Sequence, residues 1–174
     1  MNHAHRPGHV CGGDSAVALS VIVPCFQEEA NIDTLVCRTL ATFDTLKTCD
    51  ATQHKALSTG QESARTEARA SRMLEGPNST TELMLIDDGS GDGTWSRIEH
   101  WLNNDARVRG VRHDVNTGIV SAWRTGLMAA RGGLVCLIDA DLQNRPEDIP
   151  RLLDRLDLGD CDIAQGVRHS ATPS

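Results

Sequence analysis

Glu82–Thr94 reads ELMLIDDGSGDGT, and the fold is decided by how this stretch is parsed. Leu83–Ile86 is an unbroken apolar run closed by Asp87, Asp88 and Gly89, as suits a short strand buried on both faces. After the glycine-rich turn a helix begins. Asp92 or Thr94 can cap it, and Trp95, Ile98, Trp101 and Leu102 fall on one face. A strand, an acidic turn and a helix form the repeating unit of an α/β sheet.

The unit recurs in both directions. Upstream, Leu19–Val23 (LSVIV) reads as a buried strand ending at Pro24. A helix from about Glu29 to Leu46 follows, with Ile32, Leu35, Val36, Leu40 and Phe43 at helical spacing. Downstream, Val108–Val111 is a third strand. Gly118–Ala130 is a helix whose Ile119, Ala122, Trp123, Leu127 and Ala130 are expected to face inward. Leu134–Ile138 is a fourth strand ending at Asp139. Pro146 suits the first turn of a last helix, with Ile149, Leu152, Leu153 and Leu156 as its stripe, and Asp162–Gln165 reads as a final short strand. The alternation predicts an α/β fold with a mostly parallel sheet and helices on both faces. In such sheets the ligand lies outside the carboxyl ends of the strands. Pro24–Phe26, Asp87–Asp88 and Asp139–Asp141 all fall at such ends.

The chain has 174 residues, 39% of them hydrophobic and 24% charged, which suits one domain with its own core. The net charge of -7 argues against a nucleic-acid binder. It leaves room for a nucleotide diphosphate if a divalent cation sits between two acidic groups. The six cysteines include no CxxC pair, so a zinc ribbon is not expected. Cys25 and Cys136, inside apolar runs, read as small buried hydrophobes. The start, MNHAHRPGHV, lacks the apolar core of a secretory signal, and no run approaches the length of a bilayer span. A cytoplasmic location is the expectation. Residues 1–17 and 169–174 read as tails around a domain at 18–168. Lys47–Thr81, poor in large apolar residues, reads as a low-complexity insertion within that domain.

Asp139 and Asp141 flank one small residue at a strand end. With Gln143 they make a set of hard oxygen donors suited to Mg²⁺ or Mn²⁺. The same acids would serve equally to cap the next helix. Asp87 and Asp88 admit a similar choice: Asp-Gly-Ser is ordinary turn chemistry, but two acids at a buried strand end need partners. A base or ribose would supply such donors. Glu28 can contribute to the same rim or simply begin a helix, and Phe26 can pack against a base or fill core.

Together SVIVPCFQEEANI (20–32), ELMLIDDGSGDGT (82–94), NTGIVSAWRTGLMAARGG (116–133) and LIDADLQNRPEDIPRLL (137–153) resemble the family 2 glycosyltransferases of the GT-A fold. Within that family the resemblance is to the branch that transfers sugars to dolichyl or undecaprenyl phosphate. It implies that Pro24, Phe26, Glu28, Ile86, Asp88, Asp139, Ala140, Asp141 and Arg168 bind the nucleotide sugar. It also implies that Asp139, Asp141 and Gln143 hold the metal, the two aspartates acting as the catalytic pair. The implied reaction is a metal-assisted inverting displacement at the anomeric carbon. A phosphate acceptor at the membrane surface is already anionic and needs no general base. This fits a protein peripheral to the cytoplasmic face, completed by a partner chain that supplies membrane helices or the acceptor site. The alternative is a fragment that binds nucleotide sugar without transferring it. A phospho-receiver domain fits worse: receivers need an acid pair after the first strand, where Pro24 stands, and a later lysine, and the only lysines are Lys47 and Lys55.

Overall fold

The computed structural model describes residues 17–48, 74 and 80–167. The expected tails, Arg168 and most of the expected insertion lie outside these described residues. At the edges of that insertion the elements run further than the sequence suggests. Helix α1 (Ile32–Thr48) takes in Lys47 and Thr48, and strand β2 (Thr80–Asp87) takes in Thr80 and Thr81. Leu74 packs, partly buried, against the core.

The remaining elements are β1 (Val17–Cys25), α2 (Thr94–Asn104), β3 (Val108–Arg112), α3 (Ile119–Ala129), β4 (Leu134–Leu137), a 3-10 turn (Pro146–Asp148) and α4 (Ile149–Asp157). The sheet order is β3-β2-β1-β4, and every pairing is parallel. β1 and β2 occupy the centre and are apolar on both faces, as buried parallel strands must be. One face carries Leu19, Val21, Val23, Leu83 and Leu85 in the main core, with Ile32, Leu35 and Phe43 of α1, Ile98 of α2 and Leu153 of α4. The other face carries Ile22, Met84 and Ile86 under Ala122 of α3.

Pro24 lies within β1 rather than ending it. The Ile22 carbonyl accepts from Ile138 N–H on the β4 side, and the Cys25 carbonyl accepts from Asp88 N–H on the β2 side. Pro24 shares the β4 side with Ile22, whose register partner Leu137 is the last residue of β4. The missing N–H of the proline therefore faces no ladder partner.

Two expectations are corrected. Asp162–Gln165 forms no strand; this segment is irregular, and Ile163 is 84% exposed, so no neighbouring strand takes up its backbone groups. On α3 the expected Ala122 and Ala130 face inward and Trp123 is half-buried, but Ile119 and Leu127 do not turn in. Ala122 and Gly126 are buried, whereas Ile119 and Leu127 are about half exposed. The helix lies so close to β1 that a Cβ on Gly126 would sit 2.3 Å from Ile22 Cγ2. Only the smallest side chains fit there, and Ile119 and Leu127 turn out. On the same side of the sheet Val135 and Leu137 of β4 are 42% and 44% exposed.

Burial pushes the Cys25 thiol upward, and it pushes Cys136 up to about 11, so both behave as inert hydrophobes. Composition alone makes residues 50–72 poor at offsetting the entropy of ordering them. Replacing them with a Gly/Ser linker that keeps Leu74 is expected to move the melting temperature by only a few degrees. A drop beyond about 10 °C in a thermal scan would show that the segment packs.

Candidate nucleotide-sugar and metal site

The loops after β1 and β2 are fastened to each other at the carboxyl rim. Gln27 N–H donates to Ser90 Oγ at 3.0 Å, Glu28 N–H to Thr94 Oγ1 at 2.9 Å and Glu29 N–H to Asp92 Oδ2 at 3.4 Å. Gly93 N–H returns a bond to Glu29 Oε2 at 3.0 Å. Gln27 has φ 57°, the left-handed region that costs a non-glycine residue of the order of 1 kcal/mol. The cross-bonds hold that conformation. They leave Phe26 projecting, 45% exposed, beside the strand end. Glu28 begins α1. Its carbonyl accepts from Asn31 and Ile32 N–H to start α1, and its carboxylate accepts from Asn31 Nδ2 at 2.6 Å.

Asp87 and Asp88 find their partners within the chain. Asp87 is completely buried; Oδ1 accepts from Ser90 N–H at 3.0 Å. Its Oδ2 lies 3.2 Å from Arg112 Nε, an ionic contact off hydrogen-bond alignment. Asp88 Oδ1 is within 2.7 Å of His113 Nδ1 and accepts from Thr117 N–H and hydroxyl, while Oδ2 accepts from Gly118 N–H at 2.7 Å. Burial opposes ionisation of Asp88, but these bonds outweigh it and hold the carboxyl below its usual range. Gly118 is the N-cap of α3, so Asp88 places its charge at the positive end of that helix. Gly89, at φ 72°, lets the turn reach this segment: a Cβ there would lie 2.4 Å from the Val115 carbonyl carbon.

The DADLQN segment is a turn that follows β4, which stops at Leu137. Ala140 is 3% exposed and packs into the main core, while Asp139 is half-buried and Asp141 exposed. Leu142 takes φ 62°, a second strained non-glycine residue at the rim. Asn144 Nδ2 donates to Asp139 Oδ2 at 2.8 Å, and Gln143 N–H donates to Asp141 Oδ1 at 2.9 Å. Asp139 Oδ1 and Asp141 Oδ2 accept from no described residue. Each aspartate is thus oriented through one oxygen. Among the described residues no group of three or more His, Cys, Asp and Glu is placed to hold a metal. The donor set present is two carboxylates, hard oxygens that fit Mg²⁺ or Mn²⁺ when substrate phosphates complete the shell.

The topology brings the Pro24–Glu28 loop, the Asp87–Ser90 turn and the Asp139–Gln143 turn to the same end of three adjacent strands. Ile86 is fully buried in the second core, so only its backbone is available at the rim. Two rim groups escaped the sequence reading. Arg112, the register partner of Asp87, donates to the Ser90 carbonyl at 3.3 Å and lies 5.7 Å from the Trp95 ring centroid. His113 joins Asp88 to Thr125 of α3, with Nε2 2.9 Å from Thr125 Oγ1. An arginine ending one strand opposite an aspartate ending the next was a signal available in the sequence; His113 offered none.

A parallel α/β sheet with three loops meeting at its carboxyl edge is the architecture of nucleotide-binding folds. The comparisons make the class specific. Residues 61–173 match the family described as Glycosyl transferase family 2. The chain belongs to that family. It is 30% identical over 152 residues to an undecaprenyl-phosphate 4-deoxy-4-formamido-L-arabinose transferase of Shewanella sediminis, covering 87% of this chain and 37% of the relative. It is 35% identical over 102 residues to a dolichol-phosphate mannosyltransferase of Pyrococcus furiosus, covering 59% of this chain and 28% of the relative. A mannosyltransferase of Pyrobaculum calidifontis, solved with GDP-mannose and Mn²⁺, superposes with a TM-score of 0.54 at 20% identity, covering 81% of this chain and 32% of that one. This likeness establishes the GT-A fold. The chain thus spans well under half the length of these relatives.

Proposed function

We propose that the chain is the donor-binding part of a glycosyltransferase that moves a sugar from a nucleotide diphosphate to a polyprenyl phosphate. The observation that carries this reading is the DADLQN turn, where Asp139 and Asp141 are each oriented through one oxygen at the carboxyl rim. A divalent ion held there would neutralise charge on the departing diphosphate. Phe26 stacks on the base, with Pro24 and Glu28 beside it. Ala140 contributes through its backbone, because its side chain is buried. Asp88 acts by fixing the loop and α3 rather than by touching the nucleotide. Gln143 and Arg168 contact the metal and the donor. An acceptor phosphate attacks the anomeric carbon from the face opposite the leaving group, which inverts the configuration, and no residue is required as a base. The relatives named for undecaprenyl and dolichol phosphate support the acceptor class. That acceptor places the protein at the cytoplasmic face of a membrane; no helix among the described residues is long and apolar enough to cross one. A partner chain would supply membrane helices or an acceptor site.

The test uses purified protein with Mn²⁺, a panel of nucleotide sugars and polyprenyl phosphate, scored for lipid-linked sugar. Donor binding without efficient turnover is expected of the isolated chain, since binding alone gives little transition-state stabilisation. Rapid multiple turnover would overturn the part-enzyme reading. Failure to bind any nucleotide diphosphate would sink the donor-site proposal itself.

A further inference from the structure

We infer that the outer face of α3 is a surface for docking on an anionic lipid bilayer. The face is apolar where a solvent-facing helix would be polar: Ile119, Val120, Leu127 and Met128 are 49%, 71%, 50% and 78% exposed. Its only charge is Arg124, and Arg131 follows two residues past the helix end; both are exposed. Every other described arginine lies within ion-pair reach of a carboxylate, whereas these two face none among the described residues. The chain carries a net charge of -7, yet between Asp114 and Asp139 it has no acidic residue.

Exposed aliphatic side chains combined with unpaired guanidinium groups are the chemistry of an interfacial helix. The aliphatic groups enter the boundary of the acyl chains, and the cations meet lipid phosphates. A protein partner of acidic character would satisfy the charges but leaves the breadth of exposed Met and Val less well explained. The position suits a lipid acceptor. α3 starts at the rim of the candidate site, because Asp88 holds Gly118 N–H there. A bilayer resting on this helix would present phosphate headgroups beside the donor. The inference rests on the proposed lipid acceptor only for its purpose; the binding itself needs no donor.

The experiment is sedimentation of the full 174-residue chain with vesicles of phosphatidylcholine alone, or of equal parts phosphatidylcholine and phosphatidylglycerol, without nucleotide. Binding to the anionic vesicles and little to the neutral ones is expected. Replacing both arginines by glutamine (R124Q/R131Q) should weaken it roughly thirtyfold, and Val120→Ser with Met128→Ser should weaken it as well, with circular dichroism unchanged. Arg151→Gln, an exposed arginine on α4, should leave it unchanged. Equal binding of wild type and the double arginine variant, or no vesicle binding at all, would overturn the inference. Vesicle-independent dimers that the Val120/Met128 variant abolishes would reassign the face to a protein contact. Calorimetry with nucleotide diphosphate and Mn²⁺ on the same samples shows separately whether the donor site works.

Discussion

Asp141→Asn is expected to remove the metal dependence of nucleotide binding and to lower the affinity by about two orders of magnitude, the upper end of what losing even an outer-shell partner costs a metal site. The reasoning is electrostatic. Asp139 and Asp141 are the carboxylates on the DADLQN turn, and without a cation they would repel a diphosphate. The amide keeps the size of the side chain and an acceptor oxygen, so Gln143 N–H retains its partner and the turn its shape. Only the charge is lost. Asp141 is exposed, so the melting temperature should stay within a few degrees of wild type. The measurement is calorimetric titration of nucleotide diphosphates in Mn²⁺ and again in excess chelator. Wild-type binding that is indifferent to the chelator would rule out a metal at this turn.

The parts of the fold that the sequence disclosed are those governed by local periodicity. β1 and β2 carry unbroken apolar runs because both faces of a central parallel strand are covered, and such runs are visible without a structure. The acids and turn residues that end them marked the rim for the same reason. What depended on distance between elements was hidden. Ile119 and Leu127 of α3 were expected to face inward, as apolar residues usually do. The approach of Gly126 to Ile22 reverses this, and nothing within residues 118–130 encodes that separation.

The candidate site shows the same division. That Asp88 needed partners could be reasoned from burial and charge. That they are His113, Thr117 and Gly118 could not, since these sit beyond another helix and strand. The chain itself supplies these partners, and through them Asp88 clamps the point where α3 begins. Leu142 and Gln27 were also invisible: a left-handed backbone at a leucine or glutamine runs against local preference, and only the surrounding bonds account for it.

Glu82→Ala is expected to cost about 3 kcal/mol and lower the melting temperature by roughly 10 °C, the largest stability effect of any single polar residue described. A lone acid at the start of β2 looks like a solvent-facing residue, but Glu82 is 3% exposed. Its Oε1 accepts from the Ser20 hydroxyl at 2.6 Å and Arg131 N–H at 2.7 Å, and its Oε2 accepts from Arg109 at 2.9 Å. The Ser20 oxygen in turn accepts from Gly132 N–H, and Arg109 donates to the Ala129 carbonyl. The network fastens the carboxyl end of α3 to β1, β2 and β3, as Asp88 fastens its amino end. Removing the carboxylate strands several buried donors at once. Burial opposes ionisation of Glu82, but its hydrogen bonds to Ser20, Arg131 and Arg109 prevail and hold its pKa below the ordinary 4.5. Its contribution is therefore full above pH 4.5 and fades as pH falls through the depressed folded value. Wild type should lose its advantage over Glu82→Gln across that acid range and not near neutrality. In the Glu82→Ala background, Arg109→Ala should add little, because the partner charge is already gone. Denaturant titrations of the four proteins give the coupling directly. A loss below about 0.5 kcal/mol for Glu82→Ala, or strictly additive single effects, would mean that α3 is held by its apolar contacts alone.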